Sequence, residues 1–227
     1  MTNFYVVATP IGNLEDITLR AIRILKEVDL ILCEDTRVAK ILLDHHSIKT
    51  PTASYHAHSK TSKKDFILDF LEKGKNLALV SDAGTPAISD PGVLIISQII
   101  EKFKKGVKII PIPGPSALIA ALSASGLPAS EFLFLGFLPH KKGRETLFKE
   151  IAVSKRTVIF YESPHRLMKT LESLNKCLKP DRKVVIAREL TKIYEEFVQG
   201  NADAVLKYFE KNKDKVRGEF VVIVAKQ

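Results

Sequence analysis

At 227 residues with 45% hydrophobic side chains, the chain is long enough for one large or two small domains and apolar enough to fill their cores, which excludes intrinsic disorder. No apolar run reaches the roughly 20 residues that cross a bilayer, so a soluble protein with no membrane partner is expected. Lysine and arginine number 35 against 26 acidic residues, and the formal charge of +9 is an electrostatic reason to expect a polyanionic partner.

The opening MTNFYVVATPIGN has no basic segment ahead of its short apolar stretch, so it reads as a first strand and not as a signal peptide. From there short β-branched runs alternate with amphipathic ones. Strands are expected over residues 4–8, 30–33, 77–81 and 107–111, and helices over 18–28, 37–44, 63–73 and 91–104, where apolar residues recur at spacings near 3.6. Such alternation predicts an α/β fold with a mainly parallel N-terminal sheet. A helix beginning near Pro115 follows the turn Ile112, Pro113, Gly114, and the alternation then restarts, which divides the chain into lobes at 1–112 and 113–227. The second lobe is expected to carry strands over 132–135, 157–161, 184–187, 195–199 and 219–225, with helices over 144–152, 164–178 and 202–211. Its last two strands are separated by little more than one helix, so its sheet should be mixed. The two cysteines, Cys33 and Cys177, stand far apart and outside any CxxC, which points to packed thiols in a reducing compartment.

In open α/β sheets ligands bind beyond the carboxyl ends of the strands, and three Gly/Pro clusters fall there: TPIGN (9–13), SDAGTPAISDPG (81–92) and PGPSA (113–117). Each alone could be no more than a tight turn. Glycine lets backbone approach a ligand closely, and proline stiffens a loop that presents its carbonyls. Neither G-x-G-x-x-G after the first strand nor G-x-x-x-x-G-K-[ST] occurs, which argues against a dinucleotide or Walker phosphate site. Carbonyl-rich loops suit a sulfonium cation, and hence S-adenosylmethionine.

These clusters, in order with CEDTR (33–37), FLGFLP (134–139), FYESPHRL (160–167), ARELTK (187–192) and RGEFVVIV (217–224), closely resemble the ribosomal RNA small subunit methyltransferase I family, whose fold is that of the tetrapyrrole methylases. The resemblance runs from about residue 3 to about residue 226. It implies a two-lobe fold with the cofactor cleft between the lobes. It also implies methyl transfer from S-adenosylmethionine to the ribose 2′-hydroxyl of a cytidine in the decoding centre of 16S ribosomal RNA. The partners it implies are small-subunit ribosomal RNA or the 30S subunit and a second copy of the chain in a cytoplasmic homodimer. The matching cofactor positions are Pro10, the loop of Ser81, Asp82, Ala83 and Gly84 with Ile88, and Ser116 with Ala117. The second lobe contributes Tyr161, Arg188, Glu189 and Gly218. Members of the family usually continue into a small helical C-terminal extension, so with the chain ending at Gln227 the core itself is expected to grip RNA.

Among single residues, Glu34, Asp35, Glu162, His165 and Glu189 are candidates to take the proton of the acceptor hydroxyl, with capping or ion pairing as the alternative for each. Arg37, Arg166 and Arg188 either hold RNA phosphates or pair with those carboxylates, and Lys141, Lys142 and Arg144 form a local basic cluster suited to RNA. His56 and His58 share one side of an extended segment and read as a surface loop; no third ligand at a familiar spacing suggests a metal. Phe132, Phe134, Phe137, Phe160 and Tyr161 sit in apolar strands and are expected in the core rather than stacked on bases. Methylation of a tetrapyrrole ring in the same fold is the alternative activity. A catalytically silent RNA-binding module is the alternative of another class.

Overall fold

A computed structural model describes residues 2–56, 61–90 and 92–227. His58 and Pro91 lie outside the described residues. The chain divides into two compact units, Met1–Ser116 and Ala117–Gln227, the division falling inside the third Gly/Pro cluster.

The first unit is a five-stranded parallel sheet in the order β3-β2-β4-β1-β5, with β1 at Thr2–Val7, β2 at Leu30–Cys33, β3 at Thr52–Ser54, β4 at Leu77–Leu79 and β5 at Val107–Ile112. The helices are α1 (Leu19–Glu27), α2 (Thr36–His45), α3 (Thr61–Glu72) and α4 (Gly92–Phe103). The side-chain stripes sort them by face. Ala21, Ile24 and Leu25 of α1 and Ala39, Leu42 and Leu43 of α2 pack with Val7, Ile31 and Ala78. Ile67 and Leu71 of α3 and Ile95 and Ile99 of α4 pack with Phe4, Leu32 and Leu77 on the opposite face. Because β1 connects across one face to β2 while its neighbour β4 connects across the other to β5, the chain reverses its winding between β1 and β4. That is the switch point at which an open α/β sheet leaves a crevice beyond its carboxyl edge.

Strand β3 is an element the sequence reading passed over. Three residues are too few for a periodicity, and pairing with β2, not propensity, makes Thr52–Ser54 a strand. Helix ends follow local chemistry: the Thr18 hydroxyl accepts from the Ala21 amide at 3.1 Å, and the Asp35 carboxylate from the Arg37 amide at 2.8 Å.

The second unit is a mixed sheet in the order β6-β7-β10-β8-β9. Its strands are β6 (Phe132–Phe137), β7 (Thr157–Glu162), β8 (Lys183–Arg188), β9 (Glu196–Asn201) and β10 (Phe220–Val224), and only the β6–β7 pair is parallel. Helices α6 (Arg144–Val153), α7 (Pro164–Cys177) and α8 (Ala202–Lys211) bury Phe148, Leu167, Leu171, Val205 and Phe209 on the face that carries Val158, Phe160, Ile186 and Val222. Helix α5 (Ala117–Ala124) lies against β7 and β10.

The expectation that the aromatics are all core is corrected here. Phe160 is fully buried, but β6 is an edge strand, and Phe132, Leu133 and Phe137 stay exposed on it. A sequence pattern reports apolarity and not a strand's rank in its sheet, so an edge and an interior strand of the same composition look alike.

Candidate functional site

At the carboxyl edge of the first unit the three Gly/Pro loops are laced together. Thr9 and Gly84 form an isolated antiparallel bridge, the Thr9 amide donating to the Gly84 carbonyl at 2.9 Å and the Gly84 amide to the Thr9 carbonyl at 3.0 Å. The buried Thr9 hydroxyl donates to the Ser81 carbonyl at 3.1 Å, and the Ser81 hydroxyl to the Gly84 carbonyl at 3.2 Å. The Thr85 hydroxyl reaches the Pro115 carbonyl at 3.0 Å, which ties in the third loop. Glycine is required at two of these points. Gly84 has φ +81° with the Ile11 side chain 3.4 Å from where a Cβ would stand, and a Cβ on Gly114 would come within 2.9 Å of the Ala8 Cβ.

Beyond the bridge the second loop is held in an unusual shape. Ala87 and Ser89 both adopt left-handed backbone, at φ +69° and +68°, and the exposed Ile88 lies between them. The Asp90 carboxylate fixes this turn by accepting from the Ala87 amide at 2.6 Å and the Gly92 amide at 3.0 Å. Two non-glycine residues in this region cost about 1–3 kcal/mol each, and such strain gathers at ligand clamps.

The neighbouring end of β2 brings carboxylates to the same edge. Asp82 accepts from the Asp35 amide at 3.1 Å, joining the CEDTR motif to the second loop. Burial, with Asp90 and Asp82 nearby, raises the Glu34 carboxyl above the ordinary glutamate range, although a hydrogen bond from the Asp82 backbone offsets part of this. Asp35 is the opposite case. The Arg37 side chain and amide hold its carboxyl down to about 2, and the exposed Arg37 guanidinium grips both of its oxygens at 2.6–3.2 Å. Asp35 is therefore the cap of α2 and partner of Arg37, and a poor proton acceptor. Burial, together with Asp82 and Asp35, also lifts the Cys33 thiol to about 11, so it is a packed thiol and not a nucleophile.

In the second unit the FYESPHRL motif builds a closed ionic knot. On one oxygen Glu162, 1% exposed at the end of β7, is ion-paired with Arg166 at 2.8 Å and accepts from the Ser163 amide at 2.9 Å. Its other oxygen accepts from Arg144 at 3.1 Å and from the Thr170 hydroxyl at 2.6 Å. Arg144 also reaches the Pro139 carbonyl at 3.0 Å, and Arg166 the Leu138 carbonyl at 2.7 Å. This geometry follows the ion-pairing alternative for Glu162 and Arg166 and gives Arg144, expected in a basic cluster suited to RNA, the same inward role. Glu162 has no oxygen left to take a proton from substrate, and Arg144 and Arg166 spend their guanidinium groups inward rather than on phosphate. The sequence clue to this knot was Thr170, the lone polar residue in the buried stripe of Leu167, Leu171 and Leu174. Lys141 and Lys142, ahead of α6, remain exposed, as does His165 on α7.

The remaining second-unit positions are also tied locally. Arg188, 4% exposed, donates to the Arg217 carbonyl and to the Tyr194 carbonyl, both at 3.1 Å. Glu189 adopts φ +50°, and its carboxylate accepts from Lys192 and from the Glu219 amide, each at 2.9 Å. Although burial pushes the Glu189 carboxyl up, Lys192 and the Glu219 amide outweigh it and hold the pKa below the usual range. Gly218, at φ +91°, lies so close that an added Cβ would stand 2.4 Å from the Glu189 carboxyl carbon. Tyr161 is half-buried, its hydroxyl pKa raised by burial against a hydrogen bond with the Leu118 backbone, and its ring meets Phe134 and Phe137 at 5.1 and 5.4 Å. His56 is exposed just after β3.

This architecture defines the class of protein. The family model for tetrapyrrole (corrin/porphyrin) methylases matches residues 3–206, and solved structures of that class share the fold across nearly the whole chain. A cobalt precorrin-4 methyltransferase of cobalamin biosynthesis has a TM-score of 0.69 at 18% identity, covering 98% of this chain and 94% of that one. A uroporphyrin-III C-methyltransferase from Thermus thermophilus, complexed with S-adenosylhomocysteine, has a TM-score of 0.63 at 20% identity, with 98% and 97% covered.

Within that class the chain belongs to the ribosomal RNA small subunit methyltransferase I family. The relative of that name from Halalkalibacterium halodurans is 51% identical over 97% of this chain and 74% of its own length. The one from Thermotoga maritima is 44% identical over 99% of both.

The ionic knot yields a direct expectation. Glu162→Ala leaves two largely enclosed arginines without their shared carboxylate and should destabilise the second unit by about 3–5 kcal/mol, read as a lower urea midpoint. An unchanged midpoint would mean that Arg144 and Arg166 find solvent freely and that the knot is not structural.

Proposed function

We propose that the protein is an S-adenosylmethionine-dependent methyltransferase that methylates the ribose 2′-hydroxyl of a cytidine in the decoding centre of 16S ribosomal RNA, acting on the small subunit in the cytoplasm as a homodimer. The observation that carries the substrate is the near full-length likeness, at 44–51% identity, to proteins named for modifying small-subunit ribosomal RNA. The charge of +9 suits such a polyanion, and the exposed apolar edge of β6 suits a second copy of the chain.

The residues at the first unit's carboxyl edge fit a cationic cofactor. Backbone can approach closely at Gly84, and the Glu34 carboxyl, raised mainly by burial and further by Asp90 and Asp82, stands with those carboxylates at the same edge. Pro10, the Ser81 to Gly84 turn, Ile88 and Ser116 would hold S-adenosylmethionine, which when bound supplies an electrophilic methyl group. Ile88 offers the apolar contact, and the fixed carbonyls and carboxylates offer the complement to positive charge. Displacement at such a methyl rewards orientation more than strong acid or base, and the laced loops provide a surface that needs no reordering on binding.

Glu34 is the proton acceptor in this reading. Of the carboxylates named from sequence, it alone combines partial burial with a pKa moved up toward the working range. Glu162 is enclosed, Asp35 is held down by Arg37, and Glu189 is committed to Lys192 and Glu219. The exposed Lys141 and Lys142 remain to grip RNA phosphates, and Arg37, already paired with Asp35, can add only the outward part of its exposed guanidinium.

The assignment is tested by treating 30S subunits with the protein and methyl donor, digesting the RNA and locating the new methyl by mass spectrometry. A methyl on ribose is expected; one on a base would overturn the substrate reading.

The cofactor site is tested by Gly84→Val, which places a branched side chain at φ +81° against Ile11. The expected result is loss of S-adenosylmethionine binding in calorimetry with native circular dichroism retained. Undiminished affinity would remove this loop from the site.

For Glu34→Gln the methylation rate should drop by roughly 10²–10⁴ at neutral pH. The sign of the pH effect follows from the raised pKa. The parent needs Glu34 deprotonated, so its rate falls as pH drops through a value above the ordinary glutamate range, and the variant should lose that limb. A variant profile with the same acid limb would assign the proton to another group.

A further inference from the structure

The most exposed large apolar side chain of the described residues lies in the second unit, in the loop joining β8 to β9. Ile193 is 94% exposed and its neighbour Tyr194 61%, yet the loop backbone is held at Glu189, Thr191, Lys192, Tyr194 and Glu195. The Glu189 amide donates to the Glu219 carbonyl at 2.9 Å, the Lys192 amide to the Glu189 carbonyl at 3.0 Å, and the Glu195 amide to the Lys192 carbonyl at 3.0 Å. The Thr191 amide donates to the Glu195 carboxylate, Lys192 bridges the Glu189 and Glu219 carboxylates at 2.9 Å each, and Arg188 holds the Tyr194 carbonyl. Glu189 and Thr191 both take left-handed backbone to make this shape. A loop that bears strain to hold two apolar side chains in water has its ordering entropy already spent, which favours binding through those side chains.

The charge beside this loop narrows the partner. Residues 211–217, which lead from α8 to β10, read KNKDKVR; Lys211, Lys213 and Arg217 are exposed, and Lys215 is drawn to Glu196 at 2.6 Å. Arg217 joins the two segments, since its carbonyl accepts from Arg188 and its guanidinium stands 5.7 Å from the centre of the Tyr194 ring. The Tyr194 ring beside the exposed Arg217 guanidinium, with the exposed Glu195 and Glu219 alongside, pairs an aromatic face with a cation, the combination with which proteins stack unpaired bases and meet the adjoining phosphate.

We propose that Ile193 and Tyr194, on the pinned β8–β9 loop beside the basic segment 211–217, form a stacking platform for an unpaired base of the RNA substrate. The proposal rests on the reading of the protein as an RNA methyltransferase. The platform touches a base of the substrate and not the reacting atoms, so these are positioning residues.

The test uses the full chain with Tyr194→Ala, Ile193→Ser and the conservative Tyr194→Phe. Binding of a fluorescent single-stranded oligoribonucleotide is read by anisotropy, KM and kcat on 30S subunits by methyl incorporation, S-adenosylmethionine affinity by calorimetry, and assembly state by sedimentation. Tyr194→Ala and Ile193→Ser should each weaken oligoribonucleotide binding and raise KM for 30S about tenfold, with cofactor affinity unchanged, while Tyr194→Phe keeps the ring and behaves as the parent. Unaltered RNA affinity in both truncations would overturn the proposal. So would an equal loss of cofactor affinity, which would put the loop in the cofactor site, or a shift to a smaller sedimenting species, which would make it an interface between copies. If the parent leaves 30S subunits unmethylated, the substrate reading falls, and the oligoribonucleotide arm still decides whether the loop binds RNA.

Discussion

Two backbone hydrogen bonds between Thr9 and Gly84 set the geometry on which the first unit's chemistry depends. They join the loops that leave β1 and β4, the adjacent strands between which the chain reverses its winding. Loops at such a point run apart over opposite faces, and without a tie their amides and carbonyls would face solvent in many arrangements. The buried Thr9 hydroxyl, shared between the Ser81 and Gly84 carbonyls, makes the tie specific to a residue with a short side-chain donor. Given this lacing, the strained turn around Ile88 and the placement of Asp82 against β2 follow as local consequences.

The two units treat buried carboxylates in opposite ways. Burial raises the Glu34 carboxyl and the neighbouring Asp90 and Asp82 add to it, so its proton is held more tightly than in a free glutamate. Glu162 is deeper, yet two arginines and a threonine satisfy both its oxygens. Burial by itself says little about reactivity. A carboxylate that is uncompensated can exchange a proton, whereas one that is fully compensated can only hold structure.

Much of the fold was readable because the sequence announces period and punctuation strongly. Buried parallel strands such as Leu30–Cys33 are short unbroken apolar runs, the helices carry clean stripes, and the Gly/Pro loops mark the strand ends. Strand β3 was illegible because its three residues become a strand only by pairing, and the exposure of Phe132 and Phe137 because the position of β6 at an edge is a property of topology. At the site, the loops were found but their lacing was not, since Thr9 and Asp90 act through backbone groups that no motif spells out. Arg144 illustrates the remaining difficulty. It lies in a run of basic residues that looks like a phosphate grip, yet it turns inward to Glu162, 18 residues further along the sequence, while Lys141 and Lys142 in the same run stay in solvent.

The passage of Gly218 beneath Glu189 has a consequence for how the second unit tolerates change. A side chain at 218 would occupy the space of the Glu189 carboxyl group, and Glu189 in turn holds Lys192 and the Glu219 amide. The two positions are thus mutually exclusive in volume: a methyl gained at one has to be surrendered at the other. Drift at residue 218 is therefore coupled to the shape of a loop nearly thirty residues upstream, and the bare backbone at the start of β10 acts as a spacer that sets how far the β8–β9 loop stands from the sheet.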